Sequence, residues 1–403
     1  MVTTMLRRDT VPEYILGRPA LAALISTDGL VVEEIGDGNL NQVFTCRDVQ
    51  GRGLVLKQAL PYVRLVGPGW PMTEDRAARE AQALSIHGSL SPDWVCRLIS
   101  YDEEHHVLAL EDLTDHEVLR TRLNRGGPYQ GAFTAMARLT ARVLFGTSWL
   151  GLGEEGFRHQ ATATVNSELC RITEDLVFTD PFVGSPRNGV RTSVEKRTDA
   201  LLADAPLLAG AMRMKRRFLS VQEALIHGDL HTGSIFVRGG SNRSALSVKA
   251  FDSEFAFYGP IGFDLGCMWG NILAAAARAA ALGQQGRAEA LVSEIALSWR
   301  AFETELRSLW TSRVNPERYE HTFLDSWLAD ILDDSWGFAG AEVHRRVIGL
   351  AKVSDIETLD DSQYEHAVDM MLTVGRIWLV ERSSVGFATS HAAFSRMAAW
   401  IRT

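Results

Sequence analysis

Cysteine is scarce in this chain. The four cysteines, Cys46, Cys96, Cys170 and Cys267, are widely scattered with no C-x-x-C spacing. That argues against a zinc site or a disulfide framework and leaves buried free thiols as the expectation. Positive charge is in deficit too: 50 acidic residues face 41 lysines and arginines, for a formal net charge of −9. Wholesale binding to nucleic acid or to an anionic membrane is therefore not expected. Any phosphate site must be a local concentration of Lys, Arg and backbone N–H groups. Long apolar runs are lacking as well. The first residues, through Arg7, Arg8 and Asp9, carry no continuous apolar region, and the most hydrophobic stretch, Leu265 to Leu282, is broken by Asn271 and Arg278. That stretch reads as a core helix rather than a membrane span, and the cytoplasm is the expected location. There are no internal repeats, long linkers or low-complexity tracts.

What is present centres on one run, His227-Gly228-Asp229-Leu230-His231-Thr232-Gly233-Ser234. The strand-forming residues Ile235-Phe236-Val237 follow it, then a turn at Gly239-Gly240-Ser241-Asn242. A second strand-like stretch, Ser247 to Phe251, leads to Asp252-Ser253-Glu254. A hairpin of this kind brings the loop before its first strand close to the residues ending its second, so Asp229 and Asp252 should face one another. One carboxylate to orient a hydroxyl and another to hold a divalent metal on a nucleotide are the minimum apparatus of kinase-type phosphoryl transfer. The alternative is an ordinary turn with Asp229 as a helix cap. Two departures from the general kinase pattern are chemically coherent. Ser234 stands where that pattern has a magnesium-binding Asn, and Glu254 stands where it has Gly. The added carboxylate supplies the hard oxygen ligand that Ser234 supplies less well.

A chain of 403 residues is long for a single core, so two lobes are expected. Residues 1 to about 30 have a helical pattern, with Pro12 at an opening and an apolar face through Leu16, Leu21 and Leu24. Short strands follow at Val31–Ile35, Gln42–Cys46 and Leu54–Lys57, then a helix from about Thr73, then strands around Val95–Tyr101 and Val107–Leu110. Beyond Glu111-Asp112-Leu113 the pattern is mostly helical apart from the hairpin. The expected fold is α+β and bilobal, protein-kinase-like: a small antiparallel-sheet nucleotide-binding lobe with a leading helix over 1–113, and a helical catalytic and substrate-binding lobe over 114–403.

In the first lobe, Gly36, Gly38 and Asn39 join the first two strands with two of the three glycines of G-x-G-x-x-G. Glycines let backbone N–H groups approach phosphate, although a plain hairpin turn has the same composition. Lys57 ends an apolar strand, suited to hold the α- and β-phosphates unless it is merely an exposed strand-end lysine. Glu80, on the predicted helix, is the expected partner of Lys57, and Glu74 is its competitor. Glu111 and Leu113 lie where the chain crosses between lobes and where backbone groups can bond adenine.

Several strings together resemble the 5-methylthioribose kinases. They are the 227–234 run, Asp252-Ser253-Glu254-Phe255-Ala256-Phe257-Tyr258-Gly259-Pro260, Gly262-Phe263-Asp264, Gly69-Trp70-Pro71-Met72-Thr73 and His344-Arg345-Arg346. The HGD element alone is shared with aminoglycoside, choline and homoserine kinases. The resemblance implies transfer of the ATP γ-phosphoryl group to the 1-hydroxyl of methylthioribose. It implies Asp229 as the residue orienting that hydroxyl, Asp252 and Glu254 as Mg2+ ligands, and a homodimer. It also suggests that Trp70 covers the nucleotide or substrate pocket, against the alternative of an anchor packing its loop. Arg345 and Arg346 carry planar, permanently charged forks suited to a transferring phosphoryl group, the alternative being a surface pair on a helix or a structural pair with Asp or Glu. Adjacent helical residues point about 100° apart, so both need not reach one ligand. Asp264 and His227 are expected as scaffold for the catalytic loop. The competing readings are an aminoglycoside-, choline- or homoserine-type kinase, and a non-catalytic pseudokinase. The pseudokinase predicts loss of Lys57, Asp229 or Asp252, and all three are present.

Overall fold

The structure, a computed structural model, describes residues 5–35, 40–64, 67, 69–240 and 246–400, the last five by backbone only. Gly36, Gly38 and Asn39 of the glycine loop, and Ser241 and Asn242 of the hairpin turn, lie outside the described residues.

The leading segment forms two short helices, α1 (Val11–Leu16) and α2 (Pro19–Ala22), rather than one continuous pattern. Pro19 opens the second, and the Arg18 between them is extended, so the chain changes direction there. The apolar face expected through Leu16, Leu21 and Leu24 is corrected accordingly. Leu16 and Leu24 are exposed, while Val11, Tyr14, Ile15 and Leu21 pack on Phe44, Leu54 and Leu56 of the sheet.

The sheet comprises β1 (Val31–Ile35), β2 (Asn41–Arg47), β3 (Gly53–Ala59), β4 (Leu98–Asp102) and β5 (Val107–Glu111). It is antiparallel throughout, in the order β1-β2-β3-β5-β4. Between β3 and β4 runs α3 (Arg76–Leu90), which begins at Arg76 rather than Thr73. The Thr73 N–H donates to Glu168 Oε2 at 2.8 Å and its hydroxyl accepts from the Asp75 N–H, so these residues form a turn ahead of the helix. Val95 is not part of β4 but bridges to Ala250 of the later hairpin.

After β5 the chain passes through 112–116 into β6 (Glu117–Val118), then α4 (Leu119–Asn124), α5 (Ala132–Thr147), α6 (Trp149–Ala163), α7 (Ser167–Phe178), α8 (Glu195–Leu201) and α9 (Ala205–Ser220). Four short strands follow: β7 (Ala224–Ile226), β8 (Ile235–Arg238), β9 (Ser247–Ala250) and β10 (Phe257–Gly259). The hairpin pairs Ile235 with Ala250 and Arg238 with Ser247, and β6 adds to its other side. The remainder is α10 (Gly262–Ala281), α11 (Gln285–Leu309), α12 (His321–Ile348), α13 (Ser354–Glu357), α14 (Asp361–Val380) and α15 (Phe387–Trp400). The fold is the α+β bilobal, protein-kinase-like arrangement: one antiparallel sheet with its helix, then a helical lobe.

The hydrophobic stretch at 265–282 lies in α10, which is buried along nearly its whole length against α11, α12 and α14. Among the described residues no helix is long and apolar enough to cross a membrane. The four cysteines are free; Cys46, Cys96 and Cys267 are buried, whereas Cys170 is only half-buried. At Gly270, an added Cβ would come within 2.9 Å of the Glu342 side chain, so α12 approaches α10 where glycine leaves room.

One buried acid on α11 has a consequence for stability. Glu294 is 6% exposed and its Oε2 is buried without a hydrogen-bond partner. Burial pushes its carboxyl up to about 7. An acid whose folded pKa lies above the unfolded value binds protons more tightly when folded, so its penalty is absent below about pH 4.5 and grows as pH rises through 7. Glu294→Gln is therefore expected to stabilise the protein by about 2 kcal/mol at pH 8 and by little at pH 4. Chemical denaturation at the two pH values checks this; an equal effect at both would contradict it.

Candidate active site

The loop after β7 is shaped by its backbone. Gly228 has φ of 81°, and a Cβ there would lie 2.2 Å from the Phe255 carbonyl oxygen, so only glycine fits. Asp264, in the first turn of α10, accepts the N–H groups of His227 at 2.8 Å and Gly228 at 3.0 Å. The His227 ring accepts the Asp229 N–H at Nδ1 and donates from Nε2 to the Phe251 carbonyl at 3.0 Å. One neutral imidazole thus joins the Asp229 loop to the residue preceding Asp252. Ser234 donates its hydroxyl to the Asp229 carbonyl at 2.8 Å, which places it as a staple of the loop.

The Asp229 carboxylate is surrounded by cationic and neutral donors. His231 Nδ1 accepts the Gly233 N–H at 2.9 Å, so its proton sits on Nε2, 3.3 Å from Asp229 Oδ2. Burial pushes His231 down to about 4, so it is a neutral donor at pH 7. Arg345 Nη1 lies 3.4 Å and Arg346 Nη2 3.9 Å from Asp229 Oδ1. Burial would raise the Asp229 carboxyl, but His231 and the two guanidiniums outweigh it and hold the group well below its usual range. Both arginines reach Asp229 despite being adjacent on a helix because Glu342, one turn earlier, ties them together. Glu342 Oε1 accepts from Arg346 Nε at 2.5 Å, and Oε2 lies 3.2 Å from Arg345 Nη1. Arg345 Nε and Arg346 Nη2 are buried without hydrogen-bond partners, donors available to an anion.

On the nucleotide side, Lys57 of β3 pairs with Glu80 of α3 at 2.7 Å and also bonds Asp252. Glu74 is not part of this pair. Asp252 holds φ of 66°, a left-handed conformation that is strained for an aspartate and aims its side chain at the lysine. Glu254 is buried and its Oε2 accepts from Asn41 Nδ2 at 2.9 Å, with Arg76 Nε at 3.4 Å. Asn166 fixes this turn by donating to the carbonyls of Glu254 and Ala256. Three carboxylates thus face two cations. Burial pushes Glu80 and Glu254 upward, with Lys57 opposing and Asp252 adding to the rise. Among the described residues no three acidic, histidine or cysteine side chains can hold a metal by themselves. Mg2+ ordinarily takes one or two carboxylates together with substrate phosphates, and an excess of hard, negatively charged oxygens fits that donor set.

Trp70 is half-buried against Val63, Met72 and Leu169, and lines a cavity of about 350 Å³ with Glu168, Arg171 and Ile172. It is therefore both an anchor for its loop and the wall of a cavity. At the crossing, the Glu111 carboxylate takes the Arg97 N–H at 2.7 Å and pairs with Lys249. The Glu111 N–H and the Leu113 carbonyl are also engaged within the protein, the latter by His116. Sequence reasoning passed over Asn41, Arg76, Asn166, Asn271 and Glu342. Of these, Glu342 carried a signal in its helical spacing of three and four from the twin arginines, and Asn271 one as a polar residue inside the most apolar stretch.

The model of the phosphotransferase enzyme family matches residues 31–302, from β1 into α11. Fold and site together define a phosphotransferase. The chain is 38% identical over 367 residues to the methylthioribose kinase of Yersinia enterocolitica, covering 88% of this chain and 90% of that one. It is 39% identical over 359 residues to the methylthioribose kinase of Geobacillus sp., covering 88% and 87%, and 37% identical over 358 residues to that of Yersinia pseudotuberculosis, covering 86% of each. The chain belongs to the methylthioribose kinase family of phosphotransferases.

Proposed function

We propose that the protein transfers the γ-phosphoryl group of ATP to the 1-hydroxyl of 5-methylthioribose, giving 5-methylthioribose 1-phosphate and ADP. The observation that carries this reading is Asp229, a carboxylate set against two guanidiniums that still have unbonded, buried donors. The carboxylate orients the acceptor hydroxyl, and the arginines neutralise charge on the phosphoryl group in flight. A carboxylate held so far below its usual range is a weak base. Phosphoryl transfer through a loose transition state asks little of a base, and an anomeric hydroxyl is more acidic than an ordinary alcohol. The proton therefore leaves late, to Asp229, as the bond to phosphorus forms and the bond to ADP breaks.

Lys57, aligned by Glu80, holds the nucleotide phosphates. Gly36, Gly38 and Asn39 are assigned to the same phosphates from the sequence alone. Asp252 and Glu254 would hold Mg2+, which when bound screens the phosphate charge. The crossing at Glu111 and Leu113 faces the adenine, and Trp70 closes the side of the cleft. The acceptor is taken from the names of the 37–39% identical relatives. A homodimer and a cytoplasmic setting belong to the same reading and are supported by the family resemblance alone.

The test is ADP release from Mg-ATP with methylthioribose, ribose, choline, homoserine and kanamycin offered in parallel. Turnover with methylthioribose alone is expected. Turnover with another acceptor would keep the chemistry and overturn the substrate. Silence with all five, despite ATP binding, would overturn the catalytic reading.

A further inference from the structure

Arg120 carries no role in the site described above, yet it is wired into it from two directions. Strand β6 pairs Val118 with Phe236, which sets the start of α4 beside the end of the catalytic loop. There the Arg120 N–H donates to the Thr232 carbonyl at 2.9 Å. The side chain runs beneath Gly233, where an added Cβ would lie 2.7 Å from Arg120 Nη1. Its Nη2 donates to Asn271 Oδ1 at 2.7 Å, and its Nε lies 3.2 Å from Asp355 Oδ2 on α13.

Asn271 is fully buried on α10 and passes the contact onward. Its Nδ2 donates to Glu342 Oε1 at 3.0 Å and to the Cys267 carbonyl at 2.9 Å. Glu342 is the carboxylate that ties Arg345 and Arg346 together. A carboxamide has an acceptor end and a donor end, and here each meets its complement. With Arg120 donating to the oxygen, the NH2 group must face Glu342. Without Arg120 the oxygen is buried and unsatisfied, and turning it round would set it against the Glu342 carboxylate. Formal charge points the same way. Asp229, Glu342 and Asp355 are balanced by Arg120, Arg345 and Arg346, so losing Arg120 leaves one uncompensated negative charge where phosphate must enter.

We propose that Arg120 is a positioning residue for phosphoryl transfer, acting through Asn271 and Glu342 to hold the two guanidiniums toward the transferring group. This rests on the site reading given above. Four single variants, Arg120→Met, Arg120→Lys, Asn271→Leu and Asp229→Asn, and the Arg120→Met/Asn271→Leu double variant test it together, each with steady-state kinetics, ADP binding and a melting curve. Arg120→Met is expected to lower kcat about 10–100-fold with KM for ATP and acceptor within about threefold. Arg120→Lys, which keeps a charged donor for Asn271, is expected to recover most of that loss. Asn271→Leu should resemble Arg120→Met, and the double variant should be no worse than either, because one relay has been cut twice. Wild-type kcat in folded Arg120→Met, equal losses for Met and Lys, or multiplying losses in the double variant would overturn the proposal. If Arg120→Met fails to fold, Asn271→Leu decides: a kcat loss of the same order with KM within about threefold supports the relay, and wild-type kcat overturns it. An inactive Asp229→Asn beside a fully active Arg120→Met would overturn the Arg120 assignment alone. Full activity of Asp229→Asn would remove the site reading and the Arg120 role with it.

Discussion

Asp229→Asn is expected to lower kcat by about 10³-fold or more while leaving ADP and ATP affinity within a few fold. The isosteric amide fills the same space but offers one acceptor instead of two, and its NH2 must face either His231 Nε2–H or Arg345, both donors. The acceptor hydroxyl therefore loses its orienting partner, and the late proton loses its destination. Nucleotide affinity is set elsewhere, at Lys57 and Glu80, joined to the Asp229 loop through the residue before Asp252, whose carbonyl takes the His227 ring N–H and whose N–H donates to the Ser234 carbonyl. Removing the Asp229 charge also removes a competitor for the two guanidiniums, so any change in nucleotide affinity should be toward tighter binding. Turnover assays with calorimetric titration of ADP separate these effects. A fall in affinity matching the fall in kcat would show that Asp229 serves the nucleotide instead.

How much of this site was legible in the sequence depends on how local each part is. The loop at 227–234, the hairpin and Asp252 lie in one continuous stretch, so turn chemistry and alternating strands are enough to place them together. Lys57 and Glu80 required one step more, a strand facing a helix; Lys57 does not end its strand as expected, since β3 runs on to Ala59, but the structure brings the pair within 2.7 Å. The residues that hold these groups in place are another matter. Arg120 and Asp355 are ordinary polar residues on two separate helices, and nothing in their local surroundings marks them; Asn271 stood out as a polar break in an apolar helix, but its partners lie far away in the chain. Their roles come from the close approach of α10, α12 and α13, and from the β6 pairing that sets Arg120, at the start of α4, beside Thr232. Glu254 shows the same limit. Its acidity was readable, but Asn41 and Arg76, which share its Oε2, are distant in the chain. The leading helices failed for a local reason. Periodicity ran through Gly17 and Pro19 as if the chain kept one axis, and the turn at Arg18 put Leu16 and Leu24 in solvent.

The second large effect is expected at Asp252, and there nucleotide binding should divide by metal. Asp252→Ala is expected to lower kcat by about 10³-fold or more and to abolish the enhancement of ATP affinity by Mg2+. Without Mg2+, affinity for ATP should hold or rise. The reason lies in the charges around Lys57. In the wild-type protein Lys57 is shared between Glu80 and Asp252, with Glu254 close enough to strengthen its hold on a proton. Deleting Asp252 leaves the pair with Glu80 intact, frees a donor toward the phosphates and removes one negative charge from the place where triphosphate must lie. The strain at φ of 66° is relieved little by alanine, which is no better suited to that conformation, so a smaller melting-temperature change than the kinetic effect implies is expected. Titrations of ATP with and without Mg2+ on the folded variant check the division. Equal losses of affinity in both would mean that Asp252 contacts the nucleotide directly. Retained Mg2+ enhancement would move the metal to other ligands, with Glu254 the first to examine because it shares the same turn.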